Sequence, residues 1–163
     1  MSVILPLLFV LFTNCSASAC SGQAECIPII QSTYKAYILA DEEGSMIPIK
    51  YVLAIAQVES GFRSSALRRV SKTDLNISDY GLFQINEWWV KTLELNPANL
   101  MDPVYNTKFA LTLLNLYYVK YGYNIEKTIQ IFHIGETSYL SGKRAPNYLN
   151  AVIRYANIYT NTY

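Results

Sequence analysis

Apolar positions recur along this chain mostly at three- and four-residue spacing, the period of a helix, and rarely in strict alternation. The clearest case is residues 48–60. There Ile49, Val52, Leu53, Ile55 and Ala56 make a wide apolar stripe. Pro48 suits the first turn, where its missing N–H is not needed, and Gly61 marks the stop. Residues 24–39 predict an earlier helix, separated from this one by the polar break Asp41-Glu42-Glu43-Gly44-Ser45. Residues 62–80 are rich in Ser, Arg, Lys, Asp and Asn and predict a loop with room for a short hairpin. Residues 81–89 predict a short apolar helix. Asn96-Pro97 and Asp102-Pro103 punctuate the next stretch. Residues 104–121 predict a long helix closed by Gly122, residues 125–132 another closed near Gly135, and residues 145–159 the last. Strand signals are weak, and neither a repeat nor a low-complexity linker interrupts the pattern. The pattern predicts one compact, mainly α domain.

Composition narrows the class. A chain of 163 residues that is 52% hydrophobic and 15% charged can pack a core and is not disordered. Thirteen basic and twelve acidic residues leave a net charge of +1, without the basic bias of an electrostatic nucleic-acid binder. One histidine, with three cysteines confined to the first 26 residues, does not compose a closed zinc site. The 14 tyrosines suit either helix contacts or a groove that stacks on sugars.

The amino terminus reads as an export signal. Residues 3–12 are an apolar run too short to span a bilayer. Ala17-Ser18-Ala19 follows as a small-x-small cleavage pattern, so residues 1–19 are expected to leave as a signal peptide and residues 20–163 to form the mature domain. No Lys or Arg precedes the run, and an uncleaved anchor is the alternative. Cleavage removes Cys15 and leaves Cys20 and Cys26 as disulfide candidates closing a small loop. Lipidation of Cys20 is the weaker reading, because Ala17 stands where lipoprotein signals usually carry Leu. The expected location is the periplasm or beyond it, with no stable transmembrane segment after cleavage.

Glu59 is the candidate chemical group. It follows Val52, Ile55 and Ala56 on one side of the 48–60 helix. Apolar surroundings favour the protonated form of a carboxylic acid, and glycosidic cleavage needs such an acid at the leaving oxygen. On composition and periodicity alone, a solvated, inert glutamate at a frayed helix end is the favoured reading.

Local sequence shifts that balance. Glu59-Ser60-Gly61-Phe62, then Gly81-Leu82-Phe83-Gln84-Ile85, then Phe132-His133-Ile134-Gly135, then Tyr148 leading to Val152, resemble in order and spacing the motifs of the soluble lytic transglycosylases of the lysozyme-like superfamily. Asn99-Leu100-Met101-Asp102-Pro103 with Asn106 resembles a further turn of that family. The resemblance spans roughly residues 25–158 and is closest to the small transglycosylases of secretion, conjugation and pilus machines. It implies an α+β lysozyme-like domain with a glycan-binding groove. Glu59 matches the catalytic acid/base, and Ser60 the polar neighbour at the catalytic helix end. Gly81 and Gln84 match the groove motif, the glycine leaving room for sugar and the glutamine offering its amide to an N-acetyl group or to backbone. Tyr148 matches a tyrosine near the catalytic carboxyl. Phe132 and His133 stand where the family usually has Tyr and Asn. An imidazole there keeps a hydrogen-bonding group and introduces pH sensitivity near 6.5, or simply caps its helix.

Asp79 leaves the mechanism open. Ser78-Asp79-Tyr80-Gly81 followed by Trp88-Trp89 also resembles animal-type lysozymes, in which an Asp at this place is a second carboxylate. One route uses Glu59 alone and gives 1,6-anhydro products; the other adds Asp79 and gives hydrolysis; an Asx-type turn is the third reading of Asp79. Glu87 reads as a solvated face residue, Asp102 as turn chemistry, and one of the two tryptophans at most as a sugar contact. The resemblance implies peptidoglycan strands as substrate, possible contact with a secretion or pilus apparatus, and no metal or organic cofactor. A non-catalytic adaptor of such an apparatus is the competing class.

Overall fold

The computed structural model of the protein describes Thr33, Tyr37 and residues 45–70 and 77–160. The expected signal peptide, the Cys20 and Cys26 pair and most of the helix expected over 24–39 lie outside these residues. Thr33 and Tyr37, within that last range, are helical.

Helix α1, Ile49–Ser60, follows its apolar stripe: Val52, Leu53, Ala54, Ile55 and Ala56 are buried. Pro48 sits one residue before the helix in extended conformation, φ −59° and ψ 135°. Gly61 closes it in the left-handed region, its N–H donating to the Gln57 carbonyl at 3.0 Å. Phe62 keeps the same hand at φ 61° although it is not glycine. That conformation costs about 1–3 kcal/mol, an amount that burying the whole ring offsets.

The polar stretch after Phe62 is more regular than its composition predicts. Strands β1 (Leu67–Val70), β2 (Ile77–Tyr80) and β3 (Ile85–Asn86) form an antiparallel sheet in that order. Arg68, Asp79 and Asn86 face one another across the three strands. The helix expected over 81–89 is corrected: residues 81–84 are a turn, and α2 runs only over Glu87–Thr92. Gly81 at φ +72° and Gln84 at φ +48° are left-handed, which no α-helix accommodates. Asn86 then caps α2 by accepting the Trp88 N–H at 2.9 Å.

A 3₁₀ turn, Pro97–Met101, leads into α3, Pro103–Lys120. Asp102 caps α3 by accepting the Tyr105 N–H at 2.7 Å, in keeping with the turn chemistry expected of it. Helix α4, Ile125–Ile134, is capped by Asn124; α5, Glu136–Leu140, has no counterpart among the predicted elements; α6 is Pro146–Thr160. Helices α1 and α6 pack along each other, as do α3 and α4, around a core that includes Leu53, Phe83, Leu111, Ile129 and Val152. The domain is mainly helical with a small sheet. Among the described residues no helix is long and apolar enough to cross a membrane.

One buried side chain ties the 81–84 turn to this core. Asn106 Oδ1 accepts the Phe83 N–H at 2.8 Å, and its Nδ2 donates to the carbonyls of Leu100 at 2.9 Å and Tyr80 at 3.1 Å. A Cβ on Gly81 would lie 2.0 Å from the Leu100 carbonyl oxygen. The glycine therefore makes room for protein backbone, and the turn is held from behind.

Candidate active site

Helix α1 delivers Glu59 from its last turn. Ser60 steadies that turn: its buried hydroxyl donates to the Ala56 carbonyl at 3.3 Å and accepts the Arg63 N–H at 3.2 Å. Tyr148, from the first turn of α6 and 89 residues away, donates its hydroxyl to Glu59 Oε1 at 2.6 Å. His133, near the end of α4, places Nδ1 3.6 Å from the same oxygen. Its ring lies flat on the Tyr148 ring, 3.8 Å between centroids and 8° between planes. Burial, then the Glu59 charge, then the hydrogen bond to Glu59 push the Tyr148 phenol well above its ordinary range. Tyr148 is thus a hydrogen-bond donor to Oε1 at any pH at which the protein works.

Glu59 is only 13% exposed at its side chain and forms part of the wall of a cavity of about 590 Å³. The sheet supplies Arg68, Asp79 and Asn86, and the turn between β2 and β3 supplies Gln84; α2 supplies Trp88 and Trp89; the far side carries Phe132, His133 and Glu136. Of the residues singled out from sequence, Glu59, Asp79, Gln84, Phe132 and His133 meet on this wall. Tyr148 joins them through Glu59. Ser60 and Gly81 do not line the cavity: both act behind it, on α1 and on the turn.

The polar contacts refine several roles. Asp79 belongs to a strand and not to an Asx turn; its Oδ1 accepts the Asn86 amide at 2.8 Å, and its Oδ2 lies 3.7 Å from Arg68 Nε. Gln84 Nε2 donates to the carbonyls of Gly81 at 2.8 Å and Ala66 at 3.2 Å, so both hydrogens of its amide go to the backbone. Glu87 is not a solvated face residue. It accepts the Ser78 N–H at 2.8 Å and pairs with Lys91 at 3.5 Å, fastening α2 to β2. Trp88 is exposed, while Trp89 packs edge-on against Phe109 at 6.3 Å.

A second cluster on the wall was missed from sequence. Glu136 Oε1 accepts the Tyr121 hydroxyl at 2.6 Å and lies 2.8 Å from Lys120 Nζ. The hydrogen bonds from Lys120 and Tyr121 hold the Glu136 carboxyl below its usual range. The hydrogen bond to Glu136 carries the Tyr121 phenol up to about 12. Burial, followed by the Glu136 charge, raises Tyr117 beside them. Sequence shows only a glutamate one residue after a helix-closing glycine; its partners come from the far end of α3.

A mainly helical domain with a small antiparallel sheet and a partly buried carboxylate at a helix end, on the wall of a cavity, has the form of a lysozyme-like domain. The profile of the transglycosylase SLT domain matches residues 36–151. The chain belongs to that family, within the lysozyme-like superfamily, whose general activity is lytic transglycosylation of peptidoglycan. No curated protein and no solved structure matches the chain.

Proposed function

We propose that this protein cleaves the β-1,4 bond between N-acetylmuramic acid and N-acetylglucosamine and leaves 1,6-anhydromuramic ends, with Glu59 as acid and then base. The observation that carries this reading is the Glu59 carboxyl on the cavity wall, its Oε1 held by Tyr148 at 2.6 Å. With Oε1 engaged as an acceptor, Oε2 is the atom that holds the transferable proton. Glu59 gives that proton to the leaving oxygen as the C1–O bond breaks. The substrate's own N-acetyl oxygen supports the cationic centre. The C6 hydroxyl then bonds to C1 and returns its proton to Glu59, so the acid is regenerated and no water is consumed.

A second reading rests on Asp79, which shares the cavity wall with Glu59. Hydrolysis through Asp79 requires a carboxylate free to meet the sugar. Asn86 and Arg68 both engage Asp79, as polar neighbours engage the second carboxylate in the lysozyme pattern, so the first route is preferred on the resemblance of the later motifs to the transglycosylase pattern. Mass spectrometry of digested sacculi separates the two: anhydro ends support the proposal, and reducing ends support hydrolysis. Equal clearing by wild type and Glu59→Gln rejects both, and no clearing by wild type leaves the adaptor reading. Export by a signal peptide over residues 1–19 and local wall opening for a secretion, conjugation or pilus machine complete the proposal. They are supported by the apolar run, the Ala17-Ser18-Ala19 pattern and the resemblance of the motifs to those of transglycosylases of such machines. Protease protection of a tagged full chain in spheroplasts tests the location.

A further inference from the structure

We infer that His133 is a positioning residue for Glu59, acting by shape in every protonation state and by charge only when its ring is protonated. The inference rests on the reading of Glu59 as the acid. A phenol whose hydroxyl must hold one oxygen of a carboxyl has to be fixed in plane and tilt. Tyr148 is fixed on one face by the His133 ring at 3.8 Å and 8°, and at its tip by the 2.6 Å bond to Oε1. The two rings come from different helices, α4 and α6, so the stack also sets the spacing of the helices that flank the acid.

At 3.6 Å, Nδ1 is too far from Oε1 for a hydrogen bond and close enough for an ion pair. A neutral imidazole therefore leaves Oε1 to Tyr148. An imidazolium puts a positive charge beside the carboxyl and favours its ionised form, which has no proton to give. The groups that face this ring are Glu59 from α1 and Tyr148 from α6. Around the same cavity stand Asp79 and Arg68 from the sheet, Tyr117 from α3 and Glu136 from α5. Arg68 is paired with Asp79, and Lys120 with Glu136, whereas His133 lies beside the acid and is a cation only when protonated.

Three variants and two readouts test this. His133→Phe keeps a flat ring on Tyr148 and removes the titrating nitrogen; His133→Asn keeps a polar group and removes the ring; His133→Ala removes both. On soluble glycan oligomers, His133→Phe should keep a higher plateau kcat than His133→Ala. The alkaline limb of its kcat/KM profile should move to higher pH. His133→Asn and His133→Ala should show that move plus a fall in plateau kcat of about tenfold, the effect of losing a group that holds reacting geometry. A wild-type limb in His133→Phe overturns the charge effect, and a full plateau in His133→Ala overturns the shape effect. The second readout is independent of catalysis. The chain has one histidine, so its ring resonances titrate without overlap. Their midpoint should differ between wild type and Glu59→Gln. Equal midpoints overturn the coupling, whatever the glycan assay gives, whereas an active Glu59→Gln with unequal midpoints overturns only the proposed function.

Discussion

Glu59 and Glu136 stand on one cavity wall, and each accepts a tyrosine hydroxyl at 2.6 Å. They are nevertheless different kinds of group. Glu136 has Lys120 at 2.8 Å, a permanent cation, and is held ionised. Glu59 has a stacked imidazole at 3.6 Å and a buried phenol, neither of which is permanently charged. The same carboxylate–tyrosine pair serves structure where a lysine neutralises it. Where the neighbour is neutral, it suits proton transfer. The difference lies in the third residue.

Four substitutions probe that contrast, in descending order of effect. Glu59→Gln should lower turnover on purified peptidoglycan by about 10³-fold or more with little change in melting temperature; a similar loss in Glu136→Gln would erase the distinction. His133→Lys gives Glu59 the kind of neighbour Glu136 has. It should cost about 100-fold in kcat at pH 7, since an adjacent opposite charge favours the ionised carboxyl. Tyr148→Phe removes the hydrogen bond that holds Glu59 Oε1, and kcat should fall about 10-fold, with the midpoint of chemical denaturation measured alongside.

Glu136→Gln should change activity by no more than about threefold, and its signature is in stability against pH. The folded-state pKa of Glu136 is lowered. Its contribution is therefore present above the ordinary carboxylate range and is lost as pH falls through the depressed value. The folded-state pKa of Tyr121 is raised to about 12, so its contribution is present below the ordinary phenol value and is lost as pH rises toward 12. Thermal melts across pH should show Glu136→Gln flatter than wild type at both ends; superimposable curves would mean that the cluster adds nothing to stability.

Much of the helical frame was legible because its signals are local. The stripe of Ile49, Val52, Leu53 and Ala56 with Gly61 behind it predicts α1 to within a residue. The Asp102-Pro103 start and Gly122 stop do the same for α3. The sheet was not legible. Its strands are two to four residues long and polar, and a short apolar run such as 81–86 carries no period of its own. The left-handed Gln84 was likewise hidden, since its conformation comes from a turn fastened through Asn106, some 20 residues further on. Glu87 departs from its expected solvated role because a strand N–H from Ser78, not solvent, meets its carboxylate.

The sequence by itself determined the order of the helices, the placement of an acid at the end of an apolar one, and the resemblance that names glycan as substrate. Periodicity, caps and motif spacing act within a few residues. Only the tertiary structure decided that Tyr148 and His133 converge on one oxygen of Glu59, that Gly81 yields to backbone, and that Glu136 is paired off by Lys120. Each of these depends on side chains from separate elements meeting within hydrogen-bond or ion-pair range. Packing of α1, α4 and α6 sets those distances, and no local pattern encodes them.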